Sequence, residues 1–189
     1  DFLMENVNLT QHPLPMFKRW AMAINGCNVP EIDKADFITR WLVIIRACVF
    51  SMTFTSGLIG VLLAAEIGKI NWFYAALSVF GLLLAHAANN VINDYADVKS
   101  GVDTEDYPRA QYSVHPILGG LTTPKGLLQS AFVFTLIDAA IMIYLTSVRG
   151  PWVIFFAVSG FLLSLGYTSI LKRIGLGEIT SLLVWGRPL

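Results

Sequence analysis

The sequence predicts an all-α protein, a multi-span transmembrane helical bundle, and three observations carry that prediction. Of 189 residues, 55% are hydrophobic and only 14% charged, with a mean hydropathy of +0.62; ordinary soluble domains are not so depleted of charge. The apolar residues gather into four stretches, each near the ~20 residues that cross ~30 Å of hydrocarbon. Lysines and arginines concentrate in alternate connecting segments, as they do in multi-pass proteins. The formal net charge is zero, so nothing points to nucleic acid as a partner.

Two regions follow from this pattern. Residues 1–40 form an N-terminal arm with a short interfacial helix, and residues 41–189 form the transmembrane domain. Residues 1–15, marked by His12-Pro13 and Leu14-Pro15, read as irregular. Over 16–24, Met16, Phe17, Trp20, Ala21 and Ile24 share one side with Lys18 and Arg19 off it. That suits a helix lying in the membrane interface or packed on a neighbour. Asn25-Gly26 should break it, and 30–36 should start the next helix with Asp33 or Asp36 as N-cap. The first forty residues do not show the basic-then-apolar pattern of a cleavable signal peptide. Cys27 and Cys48 show no metal spacing and no disulfide framework; Cys48 reads as a small packing residue.

Four spans are expected at about 41–65, 71–93, 126–148 and 151–170, with the start of a fifth beyond. Spans three and four are separated only by Arg149-Gly150 and must form a tight hairpin. Glycines 57, 60, 81, 160 and 166 suit close helix packing in lipid. The chain opens on Asp1 and stops as a new apolar stretch develops, so the transmembrane domain reads as the N-terminal half of a longer bundle. Lys18, Arg19, Lys34 and Arg40, then Lys99, Arg109 and Lys125, then Lys172, Arg173 and Arg187 lie on one side; only Lys69 and Arg149 lie on the other. By the positive-inside rule the N-terminus and the Asp-rich loop face the cytoplasm.

The chemistry gathers where the second span meets that loop. At ~100° per residue Asn90, Asp94, Asp97 and Gly101 fall within an arc of about 60°, so one stripe presents an amide and two carboxylates. Asn93 borders it. Ser100-Gly101 should end the helix and let Asp103 return to the same place. A carboxylate at the centre of a membrane helix costs roughly 2.5–3.5 kcal/mol, so acidic groups here need a cavity, a partner or an ion. Oxygen donors without a His or Cys set suit a hard cation; Mg²⁺ takes one or two carboxylates and completes its shell with water and phosphate oxygens.

These residues resemble a known family. Asn93-Asp94-Tyr95-Ala96-Asp97-Val98-Lys99-Ser100-Gly101-Val102-Asp103 resembles the first aspartate-rich motif of the UbiA superfamily of intramembrane prenyltransferases, most closely the 1,4-dihydroxy-2-naphthoate branch of menaquinone synthesis. The resemblance continues through His115-Pro116-Ile117-Leu118-Gly119-Gly120, Tyr167-Thr168, Lys172-Arg173 and Gly175-Leu176-Gly177-Glu178, and does not cover the first forty residues. It implies a UbiA-like bundle that transfers a prenyl group from a prenyl diphosphate to an aromatic acceptor, with the donor tail in membrane lipid. It implies Mg²⁺ held by Asn90, Asp94 and Asp97, with Asp103 assisting. Lys172 and Arg173 would bind diphosphate or an acidic acceptor, and Asn93, Arg109, His115, Tyr167 and Arg46 are further substrate-binding candidates.

Three departures accompany the resemblance. The second aspartate-rich motif of the family is not reached within 189 residues, His115 stands where an arginine is common, and Arg187 interrupts a usual Gly-Pro step. The missing second motif and the unmatched N-terminal arm support a competing reading: a UbiA-like subunit with a structural or lipid- or quinone-binding role in a larger membrane complex, gripped by Phe17, Trp20 and Trp41. His86 is expected to hydrogen-bond across helices. Asp138, mid-span, needs a partner that the sequence does not name.

Overall fold

All but one of the described α-helices begin where a side chain or a proline can serve the first turn. The computed structural model describes residues 14–68, 70–104 and 113–166, except the side chains of 164 and 165. Among these residues there are six α-helices and no strand. Helix α1 (Met16–Gly26) follows Pro15 and ends at Cys27 in the left-handed conformation, φ 51°. Its last residues are those of the expected Asn25-Gly26 step, where the Asn25 amide donates to the Ala21 carbonyl at 2.8 Å. A 3-10 turn (Ile32–Lys34) precedes the next helix, which starts at the end of 30–36 as expected. Of the two candidate caps, Asp36 is the one used: its carboxylate accepts the Thr39 N–H (2.9 Å) and the Thr39 hydroxyl (2.6 Å), starting α2 (Phe37–Ile44).

The first span does not start at Trp41. Helix α2 stops, Arg46 takes φ 56°, a 3-10 turn follows (Ala47–Val49), and α3 runs from Phe50 to Glu66. The membrane-length unit is therefore Ala47–Glu66. A left-handed residue costs about 1–2 kcal/mol and leaves a helix-terminal carbonyl to be satisfied; the Asn90 amide donates to that of Ile45 at 2.9 Å.

Helix α4 (Trp72–Lys99) is capped by Asn71 and α5 (Pro124–Arg149) by Thr123, with Pro124 in its first turn. Gly150, φ 97°, turns the chain into α6 (Trp152–Gly166). Three helical units, Ala47–Glu66, Trp72–Lys99 and Pro124–Arg149, are long and apolar enough to cross a membrane; α6 is shorter. The expected extension to residue 170 and the fifth stretch lie outside the described residues.

Helices α4 and α5 form the main pair, with α3 and α6 beside them. Gly57 admits Val79 of α4, and Gly81 admits Asp138 of α5, each within 3.1 Å of where a Cβ would stand. Gly60, Gly160 and Gly166 meet nothing within 4 Å among the described residues, so the packing role expected of them is not seen. The buried core lies at one end of the bundle: Ala23, Val29, Ile32, Val43, Ile44, Val91, Leu121, Leu127 and Ala131 join the arm to α4 and α5. The same junction corrects the reading of the cysteines. Cys27 and Cys48 form a disulfide, because the left-handed residues that end α1 and α2 bring their Cα atoms to 5.2 Å; no spacing in the sequence encodes that approach.

Candidate active site

The acidic stripe is built by how α4 ends. Gly101, φ 70°, follows Ser100; the Val102 N–H returns to the Asp97 carbonyl (2.9 Å) and the Gly101 N–H to that of Val98 (3.1 Å). These two bonds are a Schellman motif. They turn the chain back, and the Asp103 N–H also reaches the Asp97 carbonyl at 3.2 Å. Asp103 thus returns beside Asp94. Asp94 is fully buried, and Asn90, Asp97 and Asp103 are buried nearly as well.

One ligand atom from each of Asp94, Asp103 and His115 lies within 4.8 Å of the others. His115, expected as a substrate contact, therefore stands beside two of the carboxylates. His115 Nε2 stands 3.3 Å from Asp103 Oδ2, while Nδ1 accepts the N–H groups of Ile117 (3.1 Å) and Leu118 (3.3 Å). The Arg46 guanidinium pairs with Asp94 across the α2–α3 break. Its Nε is buried with no hydrogen-bond partner among the described residues. Asp97 lies one turn further on, outside the close group of three. Asn90, with its amide nitrogen committed to Ile45, presents an oxygen on the same stripe. Two buried carboxylates, a third nearby and an amide oxygen fit the hard oxygen shell that Mg²⁺ prefers.

Asn93 is half-buried on α4 at the border of the stripe. Arg109, Tyr167, Lys172 and Arg173 lie outside the described residues. Tyr95 takes the Lys99 ammonium over its ring at 5.8 Å. His86 bonds across helices as expected, its Nδ1 2.5 Å from the Thr53 hydroxyl. Asp138 lines a separate cavity of ≈ 450 Å³ between α4, α5 and α6, with Gly81, Ala85, Ala88 and Ile92 on its wall. At ~100° per residue those four positions face away from Asn90, Asp94 and Asp97, so this cavity is not part of the acidic cluster.

Comparisons with curated proteins and with solved structures gave no match. Residues 52–189 match the model of the UbiA prenyltransferase family, a stretch that takes in every member of the acidic cluster and leaves out Arg46. With three membrane-length helices and a match over more than half its length, this integral membrane protein belongs to the UbiA prenyltransferase family.

Proposed function

We propose that the protein transfers a prenyl group from a prenyl diphosphate to an aromatic quinone precursor, with Mg²⁺, at the cytoplasmic face of the membrane. The observation that carries this reading is the pair of buried carboxylates, Asp94 and Asp103, beside Arg46 at the end of a membrane helix. Asn90, Asp94, Asp97 and Asp103 would hold the ion. When bound, Mg²⁺ supplies charge neutralisation for the departing diphosphate.

The chain's own groups do the rest. Arg46 presents a buried N–H donor to the phosphate oxygens. Lys172, Arg173, Arg109 and Tyr167, on the lysine- and arginine-rich side, complete the grip on diphosphate and acceptor. The prenyl tail stays among the lipid-facing helices. In the reaction the donor C1–O bond breaks and diphosphate leaves. The ring carbon then bonds to C1, and the ring loses its proton to recover aromaticity. A 1,4-dihydroxy-2-naphthoate acceptor is favoured by the Gly101-Val102-Asp103 step.

The test uses the purified full chain in lipid nanodiscs with labelled prenyl diphosphate and naphthoate acceptor. Removal of Mg²⁺ with EDTA should abolish transfer and its return restore it. Asp94→Ala should lower transfer at least ~100-fold while the protein stays folded in the membrane. Undiminished turnover in that variant sinks the magnesium role. A folded wild-type chain that transfers no prenyl group and co-purifies with stoichiometric subunits supports the subunit reading instead.

A further inference from the structure

His115 is 6% exposed, and its ring is fixed at Nδ1 by two backbone N–H groups. Residues 116–120 make one tight turn, closed by the Gly119 N–H to the His115 carbonyl (2.8 Å) and the Gly120 N–H to that of Ile117 (3.0 Å). Nδ1 accepts from Ile117 and Leu118, the place an Asn, Asp or Ser side chain takes at the start of a helical turn. Pro116 occupies the position where a missing N–H costs nothing. A ring nitrogen that accepts from two backbone N–H groups carries no proton, so the neutral ring has its proton on Nε2. That nitrogen stands 3.3 Å from Asp103 Oδ2, an ion-pair distance rather than an aligned hydrogen bond.

This tautomer removes His115 from the metal-ligand set despite its nearness to Asp94 and Asp103. Ligation through Nε2 would move the proton to Nδ1, head-on against the two N–H groups that Nδ1 now accepts. What the ring can do is hold Asp103. That carboxylate sits two residues past the left-handed Gly101. Backbone bonds place its main chain, and among the described residues the His115 contact reaches its side chain.

We infer that His115 is a positioning residue: its Nε2–H turns the Asp103 carboxylate towards Asp94 so that both face one divalent cation. The inference rests on the magnesium reading proposed above and deepens it.

The experiment titrates Mg²⁺ alone into the purified full chain in nanodiscs by calorimetry, with thermal unfolding measured in parallel. In His115→Asn the side-chain oxygen stands where Nδ1 was and keeps the turn capped, but nothing reaches Asp103. In His115→Gln the amide nitrogen stands where Nε2 was and keeps the donor. His115→Asn should bind Mg²⁺ at least ~10-fold more weakly at an unchanged unfolding midpoint, and His115→Gln should recover to within about threefold of wild type, as for groups that orient a metal's ligands. A folded His115→Asn that binds Mg²⁺ as tightly as wild type overturns the proposal; a raised KM for prenyl diphosphate in that protein would assign the ring to the substrate. A folded His115→Gln with a tenfold loss overturns it too, so the test survives if the Asn variant does not fold. Wild-type protein that binds no Mg²⁺ removes the magnesium reading itself, whereas equal binding by wild type and both variants removes only the role of His115.

Discussion

Asp94 has no exposed surface, and the cation that meets it, Arg46, comes from a left-handed kink 48 residues earlier in the chain. A buried charge left without its partner typically costs about 3–5 kcal/mol. Arg46→Gln should therefore destabilise the protein by roughly that amount. Adding Asp94→Asn should recover part of the loss, because the buried charge disappears; the coupling expected for contacting charges is about 0.5–3 kcal/mol. Thermal unfolding of the two single variants and the double variant in one detergent closes the cycle, and strictly additive losses would show that the pair is not coupled. The acidic stripe was legible in the sequence because α4 is regular, so 3.6-residue spacing alone places Asn90, Asp94 and Asp97 together. Gly101 announced the return of Asp103. His115 was named as a site residue through the resemblance, but its contact with Asp103 was not legible: the contact joins two loops twelve residues apart, and the ring's tautomer is set by N–H groups of a turn that carries no regular period.

Helix α2 is held by its first residue more than by its length. Asp36 accepts from Thr39, pairs with Arg19 of α1 at 3.1 Å and takes the Trp20 indole N–H at 3.4 Å. The Thr39 hydroxyl first, then the Thr39 N–H, with Trp20 and Arg19, pull its carboxyl from 3.8 down to about 2. A carboxyl depressed on folding stabilises the fold above its unfolded value and loses that contribution as pH falls through its folded one. Asp36→Ala should cost about 1 kcal/mol near neutral pH. The gap in unfolding midpoint between variant and wild type should close as pH falls from about 4 to about 2. A gap that stays constant over that interval would mean that ionisation of Asp36 contributes nothing to the joint between α1 and α2. The Asp36 cap was readable as one of two candidates, because Asp before an apolar helical run is a common helix start. The break at Arg46 was not: the run from Trp41 to Phe50 contains no Gly or Pro, and hydropathy passes through it unchanged. Among the described residues, the tertiary bonds of Asn90 to Ile45 and Arg46 to Asp94 compensate the left-handed residue.

In the molecule as a whole, cohesion and chemistry occupy the same end. The membrane-length helices bury only 11–28% of their most apolar windows, whereas the arm, α2 and the ends of α4 and α5 share the buried core. The aromatic residues expected to grip another subunit divide accordingly. Trp20 bonds Asp36 and Trp41 packs on Phe134, leaving Phe17 exposed. Composition could announce the spans, since lipid exposure demands apolar residues. It could not announce that residues 14–36 close over the acidic end of α4, because that packing depends on small groups such as Ala23 and on links such as Ser113 to the Cys27 carbonyl and Arg40 to that of Leu121. The Cys27–Cys48 bridge ties α1 to the start of the first span, close to Arg46. Closing a loop of 21 residues stabilises a fold by about 3 kcal/mol in the chain-entropy account. Alkylation of the purified protein should therefore add two labels only after reduction, and reduction should lower the unfolding midpoint. The Cys27→Ser, Cys48→Ser variant should reproduce the lowered midpoint and expose the arm to limited proteolysis while α4 and α5 stay protected. If both cysteines label without reductant, the closure of α1 over the acidic cluster is held by packing alone, and the double serine variant should then match the wild-type digestion pattern.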